Sequence, residues 1–291
     1  MSAAALDLRI IDELTGGKIS VHDTPCPLCG PARKPVNRRK RVLRIWRFDP
    51  DFATYCCAHC LEHGYVRDGS AARLDTAALE HAKREAAERQ RAASADRLQK
   101  ARWLWSKRRP LIGSIAETYL LEARGYRGSL PATLGFLPAR GDCPPAMIAA
   151  FGFPIEPELG LLAIDDDAVR GVHMTRLAPD GSGKAGTEAD KITIGASLGS
   201  PIALAPVNDL LSLAITEGIE DALSVHEAIG LGAWAAGSAS RLPALAGAVP
   251  KYVEALTIYA HDDKTGQHGA LVLADELSRR NIEVSIEGLA L

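Results

Sequence analysis

The sequence predicts a multidomain α+β chain with four parts: a small N-terminal module stapled by cysteine pairs, a connecting helix, an α+β middle region, and a C-terminal α/β domain on a parallel sheet. Three observations predict it. Two Cys-x2-Cys pairs, Cys26/Cys29 and Cys57/Cys60, bracket the alternating stretch 42–48. Residues 71–109 contain no Gly and no Pro and are rich in Ala, Glu, Lys, Arg and Leu. From Pro206 onward, apolar runs of strand length alternate with segments of helix length. The boundaries that follow are 1–70, 71–110, 111–205 and 206–291.

With 47% hydrophobic and 24% charged residues, the 291-residue chain has the composition of folded domains. Its net charge of -2 hides a split: residues 1–110 carry 22 basic and 13 acidic side chains, residues 111–291 carry 12 and 23. A basic front suits a polyanion, and an acidic rear suits bound metal. No apolar run approaches the ~18 residues of a membrane span, and the N-terminus lacks the basic and apolar segments of a secretion signal. The expectation is a cytoplasmic protein with no membrane partner. In that reducing compartment, closely paired cysteines hold metal rather than form disulfides.

Residues 1–70 are turn-rich and read as short hairpins around a metal. The two pairs stand 27 residues apart, and each Cys-x2-Cys is a knuckle whose turn directs two thiolates at one ion, the pattern of structural tetrahedral zinc. A zinc ribbon with Cys26, Cys29, Cys57 and Cys60 as ligands follows. Cys56 and His59 adjoin this set and rank below Cys57 and Cys60, while Cys143 reads as a buried small side chain. Between the knuckles run Arg33, Lys34, Arg38, Arg39, Lys40, Arg41, Arg44 and Arg47 with no acid among them, interleaved with Trp46 and Phe48. Cations meet phosphates and aromatics stack on bases, so Arg38, Arg39, Arg41, Arg44 and Trp46 are the candidate contacts to single-stranded nucleic acid.

The helix over 71–110 has few apolar positions before Leu98, Ala101 and Trp105, which predicts an exposed spacer docked only at its C-terminal end. In 111–205, short apolar runs at 160–164, 169–177 and 191–194 alternate with Gly- and Pro-rich turns, the mark of hairpins. Asp180-Gly181-Ser182-Gly183-Lys184-Ala185 is one such turn. A phosphate loop would need Gly where Ala178 stands and Ser or Thr where Ala185 stands. Asp165-Asp166-Asp167 reads as a turn between strands.

The rear alternates strand 211–216, helix 219–229, strand 232–236, short helix 241–249, strand 255–260, helix 266–280 and strand 282–286. That order implies a parallel sheet covered on both faces, with ligands beyond the carboxyl ends of its strands. Two strands end in acids: Glu217-Gly218 after the first, His261-Asp262-Asp263 after the third. Helix capping accounts for Asp263 alone, whereas acids at two strand ends of one sheet suit a divalent cation. Glu217 and Asp263 are the candidate ligands, with Asp262 contributing through water. Mg2+ held this way lowers the charge on bound phosphates and activates a hydroxyl.

The run Ala214-Ile215-Thr216-Glu217-Gly218-Ile219-Glu220-Asp221-Ala222-Leu223-Ser224 resembles the first motif of Toprim domains, a strand ending in Glu-Gly. Ile258-Tyr259-Ala260-His261-Asp262-Asp263-Lys264-Thr265-Gly266 resembles the second, an Asp-x-Asp followed by Gly. Residues 119–125 and 171–177 resemble the segment that precedes Toprim, so with the zinc ribbon nearly the whole chain resembles the DnaG-like primases of phages, plasmids and mobile elements. The resemblance implies a Rossmann-like Toprim sheet and synthesis of short RNA primers from ribonucleoside triphosphates on single-stranded DNA. It implies structural Zn2+ and catalytic Mg2+ or Mn2+, with Glu217 also assisting deprotonation of the 3′-hydroxyl. Lys184 and Lys191 then meet nucleotide or template phosphates, and the helicase is a separate protein because no ATPase motif is present. One position departs: the family's first Asp falls on His261, and imidazole suits Mg2+ less well than carboxylate. Three readings stay open: Asp262 and Asp263 serve after a local shift, His261 ligates Mn2+, or catalysis is weak or lost and a DNA-binding accessory remains. A Toprim nuclease is the rival enzyme.

Overall fold

The computed structural model describes residues 6–68 and 76–288. The extreme ends of the predicted 1–70 module, positions 71–75 of the predicted helix and the last three residues of the 206–291 domain lie outside the described residues. The chain divides into two compact units, residues 1–93 and 94–291. No described helix is long and apolar enough to cross a membrane.

In the first unit, α1 (Leu8–Thr15) begins where the Asp7 carboxylate accepts the Ile10 amide at 2.8 Å and ends at Gly16 in the left-handed conformation. An antiparallel sheet follows in chain order: β1 (Ser20–Pro25), β2 (Arg41–Asp49), β3 (Phe52–Cys57) and β4 (His63–Arg67). Strand alternation sends Leu43, Ile45, Tyr55 and Cys57 inward against Leu6 and Ile11. Arg47 shares that buried face and donates to Asp12, Thr15 Oγ1 and the Pro50 carbonyl. This member of the basic run is therefore a structural clamp. Asp12 and Asp23, distant in sequence, bring acids to a stretch that has none of its own.

The helix α2 (Thr76–Ser106) is continuous through the boundary between the units. Largely exposed where its side chains are described, it buries Ala101 and Trp105 completely among Ile148, Ile164, Val169 and Val172, as the apolar spacing predicts; Ala86 is buried as well.

The second unit continues through α3 (Ile115–Thr118), a π-helical turn at Tyr119–Ala123, β5 (Leu134–Leu137), β6 (Ala146–Gly152), the separate hairpin β7 (Ile155–Glu158) and β8 (Leu161–Ala163), then β9 (Val169–Arg176) and β10 (Lys191–Gly195). The middle sheet is antiparallel in the order β10-β9-β6-β5. Its central β6 is buried throughout, because Met147, Ala149 and Phe151 join one core and Ile148 and Ala150 join the core around Trp105.

Next come β11 (Ile202–Ala205), β12 (Ser212–Thr216), α4 (Ile219–Ile229), β13 (Gly232–Ala235), β14 (Ala255–Tyr259), α5 (Lys264–Ser278) and β15 (Glu283–Glu287), with sheet order β11-β13-β12-β14-β15. β13, β12, β14 and β15 run parallel as expected, and β11 adds an antiparallel edge. The predicted helix 241–249 is instead two 3-10 segments, Ala239–Arg241 and Pro243–Ala248. Pro243 has no amide to donate, and Pro250 ends the stretch. α4 packs Ile219, Ala222 and Leu223 on one side of the sheet in a core shared with the middle sheet. α5 covers the other side with Ala270, Leu273 and Leu277 against Leu213, Ile215 and Ile258.

Candidate functional site

The sulfurs of Cys26, Cys29, Cys57 and Cys60 all lie within 4.8 Å of one another, with Cys26–Cys60 at 4.0 Å and Cys29–Cys57 at 3.8 Å. Tetrahedral zinc with ~2.3 Å bonds spaces its sulfurs about 3.8 Å apart, so the four fit zinc. Among the described residues they are the group whose ligand atoms converge for a metal. Cys57 faces inward, and strand alternation turns Cys56 to the other side. His59 contributes its backbone N–H to Cys57 Sγ at 3.4 Å. Burial raises the Cys57 thiol, but the amides at Cys60 and His59 together with the thiols of Cys60 and Cys26 hold it below the usual range, while burial and the neighbouring thiols push Cys29 far up.

Elsewhere in this unit, Arg38, Arg39 and Arg41 are exposed and Trp46 is half-buried. Arg44 is held in a two-pronged pair by Asp23 at 2.7 and 2.8 Å. In the second unit, Cys143 is exposed rather than buried, because it closes a tight turn by exchanging backbone hydrogen bonds with Arg140.

The acidic residues sit where β12 and β14 end side by side, Thr216 opposite Tyr259. The chain leaves β12 through α4 for β13 on one side while β14 lies on the other, so a crevice opens there. Glu217 is 7% exposed, and its Oε1 accepts the His261 backbone N–H at 3.0 Å. The His261 ring then bridges two carboxylates, with Nδ1 3.4 Å from Glu217 Oε2 and Nε2 3.2 Å from Asp221 Oδ2. Gly266 permits this approach: a Cβ there would lie 2.5 Å from both Glu217 Oε1 and the His261 carbonyl. Asp263 Oδ1 accepts the amides of Thr265 and Gly266 at 2.9 and 2.8 Å and caps α5. Asp262 Oδ1 accepts Gln267 Nε2 at 2.8 Å. Of the predicted set, Glu217 and His261 are in contact, whereas Asp262 and Asp263 are engaged by α5. The residue not singled out from sequence is Asp221, although its place four after Glu217, at the strand end and in the first helical turn, puts both on one rim.

A cationic group adjoins the rim. Lys191 Nζ lies 3.5 Å from Glu220 Oε2, Tyr119 donates its hydroxyl to Glu220 Oε1 at 2.8 Å, and Arg124 Nε donates to the Tyr119 hydroxyl at 2.8 Å. Burial would raise the Glu220 carboxyl, but Lys191, its own amide, the Tyr119 hydroxyl and Lys184 together hold it at about 2. Burial lowers Lys184, and Lys191 adds to that. On β9, burial and then Lys191 push His173 down to about 4, so it is a neutral ring beside these cations.

Two family models match. Residues 95–204 match DUF7146, a domain of unknown function, and residues 212–288 match the Toprim domain. Residues 212–288 are a Toprim domain. No curated protein matches the chain. Two similar solved structures are primases. The primase fragment of the bacteriophage T7 primase-helicase protein is 16% identical over 57% of this chain and 59% of its own, with a TM-score of 0.34. The Aquifex aeolicus primase, comprising zinc-binding and RNA polymerase domains, is 16% identical over 99% of this chain and 80% of its own, with a TM-score of 0.42. The chain thus spans less than two thirds of the T7 fragment's length. In this Toprim domain, Glu217 and Asp221 present hard oxygen donors to one crevice. Mg2+ takes one or two protein carboxylates and completes its shell with water and phosphate oxygens, so the two acids are donors of the kind such an ion takes, and the His261 ring lies between them.

Proposed function

We propose that the chain is a DnaG-like primase, a nucleotidyltransferase that makes short RNA primers on single-stranded DNA for replication of a mobile element or its host. The observation that carries this reading is the crevice at the ends of β12 and β14, with Glu217 and Asp221 on its rim and Lys191, Lys184 and Arg124 gathered around Glu220 next to it. Glu217 and Asp221 hold Mg2+ or Mn2+, and Asp262, Asp263 and His261 border the same rim. A bound divalent cation neutralises triphosphate charge and activates the attacking hydroxyl. Glu217 accepts the 3′-hydroxyl proton as that oxygen attacks the α-phosphorus and pyrophosphate leaves. Lys184 and Lys191 bind the phosphates of the nucleotide. The four cysteines hold structural zinc, and Arg38, Arg39, Arg41, Arg44 and Trp46 meet the template. A separate helicase is the expected partner, in the cytoplasm.

Incorporation of labelled ribonucleotides on single-stranded DNA, with Mg2+ and Mn2+ in parallel, tests the reading. Synthesis that is abolished by Glu217→Gln while DNA binding persists is the expected result. A second reading, a DNA-binding accessory with a degenerate Toprim site, is favoured by His261 standing between Glu217 and Asp221 and by the capping role of Asp263. Absence of synthesis with either metal on any template decides for it.

A further inference from the structure

Glu220 takes no part in the chemistry just described, yet its surroundings are unusual for a helical glutamate. Its side chain is only 14% exposed, and both oxygens are used, Oε1 by Tyr119 and Oε2 by Lys191. Tyr119 is fully buried and is itself fixed from behind, since Arg124 donates to its hydroxyl and lies over its ring at 5.1 Å. A nearly buried carboxylate persists only where such partners offset its desolvation. Three cations, Lys191, Lys184 and Arg124, act on this one anion, and Asp190 and Asp221 act on Lys184 and Arg124 in turn. Lys191 remains 40% exposed, so its ammonium is fixed on one side and open on the other. Glu220 belongs to the Toprim domain, whereas Tyr119, Arg124, Lys184 and Lys191 belong to residues 95–204. It also neighbours Asp221, which touches His261.

We propose that Glu220 is a positioning residue: anchored by Tyr119, it holds Lys191 at the edge of the Glu217–His261–Asp221 rim so that this ammonium meets the phosphates of an incoming nucleotide. The proposal rests on the nucleotidyl-transfer reading. With Glu220 present the cations are drawn to a common point. Without its charge they repel one another and Lys191 moves into solvent.

The test compares the full chain with Glu220→Gln, which keeps shape and loses charge, and with Tyr119→Phe, which keeps the charge and loses its anchor. Acylation of Lys191 by a small reagent is followed by mass spectrometry, with exposed Lys251 as internal reference. Affinity for a fluorescent ribonucleoside triphosphate is measured with Mg2+ at fixed salt. Solvent reaches Lys191, which is 40% exposed, and so limits the pair to the ~1 kcal/mol, about fivefold, of a surface ion pair, and Glu220→Gln is expected to speed Lys191 acylation about threefold relative to Lys251. Loss of one charge-assisted phosphate contact weakens the nucleotide about tenfold. Tyr119→Phe should shift both readouts in the same direction by less, and where primers are made the loss should fall on KM more than on kcat. An unchanged Lys191 rate in Glu220→Gln overturns the proposal, as does a faster rate with undiminished nucleotide affinity. If the unaltered chain binds no nucleotide and makes no primer, the nucleotidyl-transfer reading fails, and the acylation rates still decide whether Glu220 holds Lys191. A melting temperature that falls with neither readout moving identifies a purely structural pair and also overturns it.

Discussion

His261 Nδ1 lies 3.4 Å from Oε2 of Glu217, a carboxylate almost wholly shut off from solvent. Its Nε2 lies 3.2 Å from Asp221 Oδ2. The ring thus stands between two acids, in the place where a divalent cation would serve the same oxygens. His261→Asp puts a third carboxylate there and restores the Asp-x-Asp pattern. Without a divalent ion the variant should melt at a lower temperature than the unaltered chain. Mg2+ should raise its melting temperature by more, and Mg2+-supported primer synthesis should increase relative to Mn2+. A Mg2+-dependent melting shift no larger than that of the unaltered chain would show that His261 does not compete with the ion.

Gly266→Ala separates site geometry from helix propensity. Alanine gains up to ~1 kcal/mol in a helix interior, yet its Cβ would press on Glu217 Oε1 and on the His261 backbone at 2.5 Å. Overpacking of this kind costs about 1–3 kcal/mol, so net destabilisation and loss of Glu217-dependent activity are expected. At Gly218 the new Cβ would press on the end of the Asp221 side chain at 2.6 Å and lie in ordinary contact with Glu220 Oε2 at 3.6 Å. The Asp221 carboxylate can swing away, so Gly218→Ala should lower metal response with little change in the urea midpoint. Equal midpoint losses in the two variants would contradict this account.

Local chemistry made much of this legible. Cysteine spacing picks out the four sulfurs that converge, because a knuckle is a local turn, and it already ranks Cys57 above Cys56, which strand alternation turns away. Alternating apolar runs place Glu217 at a strand end next to the strand that leads to His261. What stayed hidden depends on partners remote in sequence. Arg47 looks like any other cation in its run until Asp12, 35 positions away, draws it inward. Tyr119 and Glu220 meet across 101 positions, and β11 is a four-residue apolar strand with no local sign of its antiparallel partner. Asp263 was legible in two roles at once, since an acid just before a helix serves equally as cap and ligand, and local sequence does not choose between them.

Zinc should be structural, because four thiolates close the coordination shell. About one zinc per chain is expected, lost in Cys26→Ser and Cys60→Ser together with the fold of the first unit, whose core is too small to persist without its staple. The Toprim domain should keep its cooperative melting transition. Metal analysis of the purified variants decides, and zinc content equal to that of the unaltered chain would reject the four-cysteine site.

The combined variant Arg38→Ala/Arg39→Ala/Arg41→Ala should weaken single-stranded DNA binding and reduce the logarithmic salt slope by about 2, since each lost phosphate contact removes ~0.7. Arg44→Ala should act differently. Its guanidinium is committed to Asp23, so a smaller change in salt slope is expected, with up to ~1 kcal/mol lost from the front sheet. Titrations at several salt concentrations test this, and an unchanged slope in the triple variant would leave the run as a solvated surface.

His173 gives the protein a distinct dependence on acid. It is 4% exposed, stands edge-on to Phe151 and shares a 3.2 Å contact with Thr193 Oγ1. Burial first, then Lys191, lowers it to about 4, and Glu220 only partly opposes them. An unfolded histidine titrates near ~6.5, so between that pH and about 4 the unfolded chain takes up a proton that the folded chain refuses. Stability from this residue is complete above ~6.5 and is lost as the pH falls towards the folded value, by about 3 kcal/mol at most. His173→Gln keeps a hydrogen-bonding side chain without that titration. Its urea midpoint should therefore fall less between pH 7 and pH 4.5 than that of the unaltered chain. Parallel pH profiles for the two proteins would mean that the acid sensitivity arises elsewhere.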